Sequence, residues 1–273
     1  MSNYKTGCEI PTHKVTQDGV HWSYYASIGQ WVGAPDLGAH YDLSQRPVKA
    51  AASTGTNWAT AAVPIVQQLV GNGAVGDCVE AGFVKGILTT QANESAKVVT
   101  PDDNDGILLY SQTSGYVPGK PNTDNGSIPT VVAKYLQTTG ATIQGANYMI
   151  DAYASIDPTR IDIIQAAIED FGGVQLVVVL PDSWAAAEGD GHIFPLPTPS
   201  DQIDGGHQMF APDWVSAGTK PPLFSNPVAA GEDGLIVNLW PRLMLLPWTT
   251  FLNAKIGGSK VVDSVLVILP QDW

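Results

Sequence analysis

The sequence predicts an α+β fold built from two lobes, because the spacing of its apolar residues changes part-way along the chain. Before Gly172-Gly173 most apolar residues recur with helical spacing, whereas after it they form β-branched runs bounded by proline and glycine. A chain of 273 residues is long enough for one large domain or for two lobes that share a cleft. We expect a helical lobe over about residues 56–145 and a β-rich lobe over about residues 146–273.

The first 55 residues are polar and aromatic by turns, and prolines and glycines between Pro11 and Pro47 interrupt any long periodicity. They predict an extended N-terminal arm, or a few short strands, ahead of the two lobes. The apolar run over residues 57–70 contains Pro64, which is tolerated only in the first turn of a helix. Any helix in this run is therefore short.

The most extended helical pattern begins at Cys78. Its apolar residues recur at i, i+4 spacing and are Val79, Phe83, Val84, Ile87 and Leu88. Gly82 and Gly86 lower the helix propensity of this segment, so we expect another backbone to pack closely against them. The pattern is typical of a central helix buried between two lobes.

Shorter helices and several strands complete the prediction. The further helical segments have amphipathic or apolar spacing and lie around residues 107–110, 127–140 and 162–171. The strand segments are rich in β-branched residues and lie at residues 174–180, 235–240 and 261–269. Proline-rich segments between them predict loops around residues 194–202 and 219–227.

The charge balance excludes two classes of partner. The formal net charge is −13, whereas nonspecific nucleic-acid binding depends on Lys and Arg. An anionic membrane surface is disfavoured for the same reason, and no stretch approaches the ~20 apolar residues of a membrane span. Because the N-terminus also lacks the apolar segment of a signal peptide, we expect a cytoplasmic or virion-associated protein.

The two cysteines, Cys8 and Cys78, are too few for a disulfide framework and fit a reducing compartment. Cys78 is the more informative, because it ends a glycine-rich turn over residues 71–77 and begins the predicted central helix. The unpaired N–H groups in the first turn of a helix stabilise a thiolate. We therefore predict that Cys78 is a nucleophile, which a Cys8–Cys78 bridge would consume.

Three polar residues are the predicted partners of this nucleophile. His207 follows two glycines at the start of an apolar run and is the expected general base, with His192 as the fallback. Asn238 could accept a hydrogen bond from the ring of His207 and so orient it. Asn72, six residues before Cys78, could donate its side-chain N–H to a developing oxyanion beside the Cys78 N–H.

These motifs resemble those of the papain-like cysteine peptidases. In that family a Gln-x-x-x-x-x-Cys turn opens the central helix, a histidine follows on a strand, and an Asn-Ser-Trp-Gly motif comes last. The corresponding places in this chain are Asn72 to Cys78, Gly206-His207 and Asn238-Leu239-Trp240-Pro241. From Cys78 to His207 the chain advances by 129 residues, close to the ~130 of that layout.

The resemblance covers about residues 57–273, and the sequence around Cys78 is similar to divergent bacterial and phage-borne members. It implies the papain-like two-lobe fold with the active site in the cleft. It also implies a thiol hydrolase that cleaves peptide or isopeptide bonds by a Cys-His-Asn mechanism on a peptide or protein substrate. No cofactor is expected, and we find no motif for a metal or a phosphate.

Several positions depart from that pattern. Asn72 replaces a glutamine, Val79 replaces an aromatic residue, and Pro241 replaces a glycine. Asp77 and Glu80 flank the nucleophile and are interpreted as acids at a helix N-terminus. Since their charge opposes a thiolate, we expect Cys78 to depend on an ion pair with protonated His207.

Two alternatives stay open at this point. Charged residues make up 14% of the chain, against about 25% in an ordinary soluble domain. An uncharged polar surface of this kind, together with the atypical arm, fits a weakly active or inactive binding protein that assembles into a larger particle such as a virion. The other alternative is a cell-wall amidase of the NlpC type, which also begins its helix with Asp-Cys.

Overall fold

The computed structural model describes residues 5–37, 55–187 and 189–271. Its strands, numbered in chain order, are β1 (His13–Gln17), β2 (Val20–Tyr25), β3 (Gln30–Pro35), β4 (Ala141–Ile143), β5 (Ala146–Tyr148), β6 (Ile150–Ile156), β7 (Val174–Pro181), β8 (Ile203–Val215), β9 (Gly234–Leu239), β10 (Arg242–Pro247), β11 (Lys255–Ile256), β12 (Ser259–Lys260) and β13 (Val262–Pro270). Its α-helices are α1 (Trp58–Ala61), α2 (Val63–Val66), α3 (Cys78–Glu94), α4 (Asp103–Thr113), α5 (Pro129–Thr138), α6 (Ile161–Phe171), α7 (Asp182–Ala185) and α8 (Trp248–Asn253). The α+β class predicted from the sequence is confirmed.

A six-stranded antiparallel sheet dominates the second half of the chain, with the order β10-β9-β8-β7-β13-β6. The apolar runs of the sequence analysis correspond to β7, β9 and β13, which lie inside this sheet. The two edge strands, β6 and β10, are not predicted by pattern. Strand β6 contains polar residues such as Asp151 and Ser155, and β10 is a Leu- and Met-rich run that lacks β-branched residues.

Successive side chains of the sheet enter two different cores, as the period of two in a strand requires. In β7, Leu176 and Val178 belong to the core that also contains apolar residues of α6, whereas Val177 belongs to the core that contains those of α3. Leu235 and Ile236 of β9 divide in the same way. The sheet therefore lies between α3 on one face and α6 on the other.

Helix α3 is buried along almost its whole length, from Cys78 to Ala92. The expectation that a second backbone packs against Gly82 and Gly86 is wrong, because glutamine side chains fill that space. A Cβ on Gly82 would lie 2.7 Å from Oε1 of Gln175 and 2.9 Å from Nε2 of Gln208. The Gln175 amide donates to the Gly82 carbonyl at 3.0 Å, so the glycines let polar side chains of the sheet hold the helix.

The described part of the N-terminal arm is not one extended segment. Strands β1, β2 and β3 form a separate antiparallel sheet, and Ser155 of β6 donates a hydrogen bond to the Pro35 carbonyl at 3.2 Å. The rest of the predicted arm, residues 1–4 and 38–54, lies outside the described residues. Among the residues described, no helix combines the length and apolar composition that crossing a membrane requires.

Glu80 is fully buried in the first turn of α3. Its Oε1 accepts hydrogen bonds from Ser127 at 2.6 Å and Thr113 at 2.7 Å, whereas Oε2 has no partner among the described residues. Burial raises the pKa of Glu80 to about 7, although the two hydroxyl groups oppose the shift. The acid thus ties the start of α3 to other parts of the first lobe and is more than a surface charge at a helix end.

Replacing Glu80 by glutamine is expected to change how stability depends on pH. Since the folded-state pKa is raised, Glu80 costs the wild type stability as pH rises from about 4.5 through about 7. Between pH 5 and pH 8 the wild type should lose about 3 kcal/mol relative to Glu80→Gln. Urea unfolding at both pH values measures the difference, with Glu94→Gln at the exposed end of α3 as the control. Equal pH dependence in wild type and Glu80→Gln would contradict this assignment.

Candidate active site

The four residues predicted to act in chemistry line one small cavity between α3 and the sheet. The cavity has a volume of about 10 Å³, and its lining residues are Asn72, Cys78, Ala81, Gly82, Lys85, His207, Gln208, Phe210, Asn238 and Trp240. That volume is about the minimum needed to hold one water molecule. The fold thus brings together residues that are up to 166 positions apart in the chain, from 72 to 238.

Cys78 and His207 are both buried, with exposed fractions of 1% and 2%. Burial raises the pKa of Cys78 to about 12, although backbone N–H groups of Gln208 and Gly7 act in the opposite direction. Burial also lowers the pKa of His207 to about 3, and the nearby charge of Lys85 lowers it further. The neutral thiol and neutral imidazole are therefore favoured at neutral pH, and the expected ion pair is wrong for this closed state.

Asn238 does not orient His207 in this structure, which corrects the expectation from the sequence. Its Oδ1 accepts a hydrogen bond from Nζ of Lys85 at 2.6 Å, and its Nδ2 donates to the carbonyls of Val66 at 2.8 Å and Arg242 at 3.0 Å. The Nδ1 atom of His207 has no hydrogen-bond partner among the described residues. A lysine thus holds the amide oxygen that was expected to receive the imidazole.

Asn72 is placed to donate to an oxygen atom in the cleft. Its Nδ2 donates to the Lys5 carbonyl at 3.2 Å and, more weakly, to the Val75 carbonyl at 3.4 Å. The indole Nε1 of Trp240 donates to the same Lys5 oxygen at 3.5 Å. A peptide carbonyl therefore already occupies the position in front of the predicted oxyanion donor.

Trp240 lines this cavity, whereas His192 does not. The Trp240 ring lies 5.3 Å from the ring of His207 between centroids, and the residue is 3% exposed, so it covers the imidazole. His192 lies in the exposed loop between α7 and β8, where its carbonyl accepts from the N–H of Leu245 in β10, and it does not line the cavity. The fallback base is therefore not at the site.

Residues 5–9, which we call the cleft segment, lie between the two lobes and beside the cavity, where the Lys5 carbonyl accepts from the lining residues Asn72 and Trp240. On one side the Ser127 N–H donates to the Gly7 carbonyl at 2.7 Å, and the Glu9 N–H donates to the Ser127 carbonyl at 2.9 Å. On the other side the Cys8 N–H donates to the Gly206 carbonyl at 3.0 Å. Backbone hydrogen bonds to both lobes thus hold the segment in place.

Glycines allow the cleft segment to approach this closely. A Cβ atom on Gly7 would overlap the Gly76 carbonyl, and one on Gly206 would overlap the Cys8 carbonyl. Both cysteines are free thiols in the buried interior. In the described residues no group of His, Cys, Asp or Glu side chains has the arrangement needed to hold a metal ion.

Sequence reasoning missed two parts of the site, Lys85 and the cleft segment. Lys85 follows Cys78 by seven residues, which is two helical turns and hence the same helix face. A lysine on that face of an otherwise apolar stretch was the available signal. The cleft segment has no comparable signal, because Gly7 and Cys8 lie in a short polar stretch without periodicity.

Solved structures of cysteine proteases are similar to this chain over most of its length. Xylellain, a cysteine protease from Xylella fastidiosa, matches with a TM-score of 0.61 and 14% identity, covering 98% of each chain. Digestive procathepsin L 3 from the larval midgut of Tenebrio molitor matches with a TM-score of 0.57 and 13% identity, covering 84% of this chain and 72% of that chain. The chain has the papain-like fold.

Bromelain from Ananas comosus, in complex with the E64 inhibitor, shares this papain-like fold with a TM-score of 0.54 and 12% identity, covering 80% of this chain and 99% of that chain. No family model matches the sequence, and no curated protein matches it. The papain-like fold expected from the motifs is therefore confirmed, whereas identities this low say nothing of activity. Activity has to be argued from the site.

A substitution that displaces the cleft segment is expected to expose Cys78. Gly7→Ala introduces an overlap with the Gly76 carbonyl, and overpacking of this kind costs about 1–3 kcal/mol. Alkylation of Cys78 by iodoacetamide at pH 7.5, followed by mass spectrometry, should become about tenfold faster or more. Gln17→Ala on exposed strand β1 is the control and should leave the rate unchanged. An unchanged rate in Gly7→Ala would show that the segment does not limit access.

Proposed function

We propose that this protein is a cysteine peptidase, a thiol hydrolase that cleaves peptide or isopeptide bonds. The observation that carries the proposal is the position of the Lys5 carbonyl. This peptide oxygen accepts from Asn72 directly beside the cavity that Cys78 and His207 line. The site therefore already accommodates the kind of group on which a thiol hydrolase acts.

In the proposed reaction Cys78 attacks the carbonyl carbon of the substrate while its thiol proton passes to His207. The oxyanion that forms is held by the side chain of Asn72 and the backbone N–H of Cys78. His207 then gives the proton to the leaving amine, and a thioester to Cys78 remains. A water molecule, deprotonated by His207, hydrolyses that thioester and restores the thiol.

Asn238 is proposed to orient the His207 ring only after Lys85 releases its amide oxygen. In the closed state that oxygen is held by Nζ of Lys85 at 2.6 Å. An oriented imidazole presents one nitrogen to the thiol and the other to an acceptor, which fixes its tautomer. The structure therefore supports Cys78, His207 and Asn72 in their predicted roles more directly than it supports Asn238.

The closed state is proposed to be latent. The cleft segment contacts both lobes beside the site, where burial raises the pKa of Cys78 and lowers that of His207. When the segment leaves, water or substrate polar groups replace it, and the free-energy cost of the thiolate–imidazolium pair falls. Removal of the segment would thus open the site to substrate and also make the Cys78 thiol more reactive.

An inactive protein that keeps the papain-like fold for binding or assembly is the second candidate. The observation in its favour is the closed cavity, which a neutral thiol and a neutral imidazole line, and in which Nδ1 of that imidazole has no hydrogen-bond partner in the described part of the chain. Such a protein would keep the cleft segment bound under all conditions. Its Cys78 would then stay unreactive in both the wild type and Gly7→Ala.

Covalent labelling by an electrophilic thiol probe, such as a peptidyl epoxide, is expected to separate the two candidates. The probe should modify Cys78 in Gly7→Ala and, more slowly, in the wild type, and a quenched peptide library should be hydrolysed in the same order. Cys78→Ala should abolish both signals, and His207→Ala should reduce them by about a hundredfold or more.

The matched control is Cys8→Ser, because Cys8 is the remaining cysteine of the chain. Labelling and hydrolysis should persist in this variant, with the label mapped to the peptide that contains Cys78. A label on Cys8 alone, or no label and no hydrolysis in Gly7→Ala, would exclude the peptidase.

A further inference from the structure

Lys85 is the least expected component of the candidate site. It lies on α3 two turns after Cys78, and it is 3% exposed. Its Nζ donates to Oδ1 of Asn238 at 2.6 Å and to the Trp240 carbonyl at 2.7 Å. A lysine is almost never buried without an anionic partner, and no carboxylate among the described residues forms a salt bridge with this one.

The titratable groups around Lys85 come from two elements. Asp77 and Cys78 lie at the start of its own helix, and Asp77 acts on the lysine only when it is ionised, which burial disfavours by raising the pKa of Asp77 well above its usual range. His207 lies on β8, and Lys85 acts on its protonation. Glu80 is one turn away on α3 but is held by hydroxyl groups of the first lobe. Strand β9 contributes the neutral amide of Asn238.

The placement of Lys85 disfavours protonation of the His207 ring in two ways. A cation beside an imidazole opposes its protonation, because like charges repel strongly in a buried site. The same cation occupies the Asn238 oxygen, which is the acceptor that would otherwise stabilise a protonated ring. Formation of a thiolate on Cys78 needs a proton acceptor, so both effects reduce the reactivity of the thiol.

We propose that Lys85 is a positioning residue that restrains the Cys78–His207 pair, holding the Asn238 carboxamide away from the imidazole strongly while it is charged and weakly when it is neutral. This inference rests on the proposed thiol chemistry. It adds a second restraint beside the cleft segment, since Lys85 acts through the Asn238 oxygen whereas the segment acts through its backbone hydrogen bonds to the two lobes.

The restraint is expected to weaken as pH rises, because burial of Lys85 favours its neutral form. Burial lowers the pKa of Lys85 to about 7, with Asp77 acting in the opposite direction. Below that value the lysine is charged and restrains the pair, and above it the lysine is neutral, so its repulsion of a protonated imidazole is lost and its hydrogen bond to Asn238 weakens. Transfer of the thiol proton to the imidazole takes up no proton from solvent. A step in Cys78 reactivity near pH 7 that is absent from Lys85→Met is therefore attributable to Lys85, whereas a step that persists there belongs to Glu80, whose pKa is also raised to about 7.

The test measures iodoacetamide alkylation of Cys78 from pH 5.5 to 9 in full-length Gly7→Ala protein, where access is not limiting. Adding Lys85→Met should make alkylation about tenfold faster or more below pH 7, with the two rates converging near pH 9. Lys85→Arg stays charged, so its rate should remain low throughout and the step should disappear. Lys134→Met on the exposed face of α5 is the control and should have no effect.

A second readout follows the His207 ring directly by nuclear magnetic resonance. Its titration should move to higher pH in Lys85→Met, and also in Lys85→Gln, which keeps a donor for the Trp240 carbonyl if the methionine variant folds poorly. An unmoved His207 titration, or equal pH profiles with and without the lysine, would overturn the inference and leave the peptidase proposal standing. Absence of Cys78 alkylation in every variant would overturn the peptidase proposal, and the inference with it.

Discussion

Burial of helix α3 is the constraint on which the rest of the site depends. The helix carries Cys78, Glu80 and Lys85 into an interior where each loses contact with water. Desolvation disfavours whichever form is charged, so it raises the pKa of the thiol and of the carboxyl and lowers that of the lysine. His207 on β8 follows the same rule. One physical cause therefore sets the protonation of groups that come from both lobes.

The central sheet stabilises the buried helix by supplying hydrogen-bond partners to its backbone. Polar side chains of β7 and β8 reach into the spaces left by Gly82 and Gly86 and hydrogen-bond to the helix carbonyls, with Gln208 donating to Val79 at 3.2 Å. These bonds fix the rotation of α3 about its axis. Because Cys78 and Lys85 share a helix face, fixing that rotation places both of them opposite β8 and β9.

Much of this architecture can be predicted from the sequence, and the limits have physical reasons. The strands β7, β9 and β13 inside the sheet contain continuous apolar runs, whereas β8, which also lies inside it, is interrupted by glycines and polar residues. The edge strands β6 and β10 lack the β-branched runs that mark the other three. Cys78, His207 and Asn238 lie at one cavity because α3 packs on the sheet beside the neighbouring strands β8 and β9. The sequence does not predict which donor the Asn238 oxygen accepts from. The Asn238 oxygen has lone pairs open to either the imidazole or a lysine, and only the packing of α3 decides between them.

The cleft segment shows how a closed site can be prepared for its reaction. Lys5 offers a carbonyl to Asn72, and Gly7 offers an N–H to Cys78, so the segment satisfies the same donors and acceptors that a peptide would. It differs from a bound substrate in its connection to both lobes through Ser127 and Gly206, which excludes water from the thiol. A peptide that displaced it would meet a preformed set of hydrogen-bonding groups. Exchange of one backbone for another, with little rearrangement of the lobes, would then be enough to open the site.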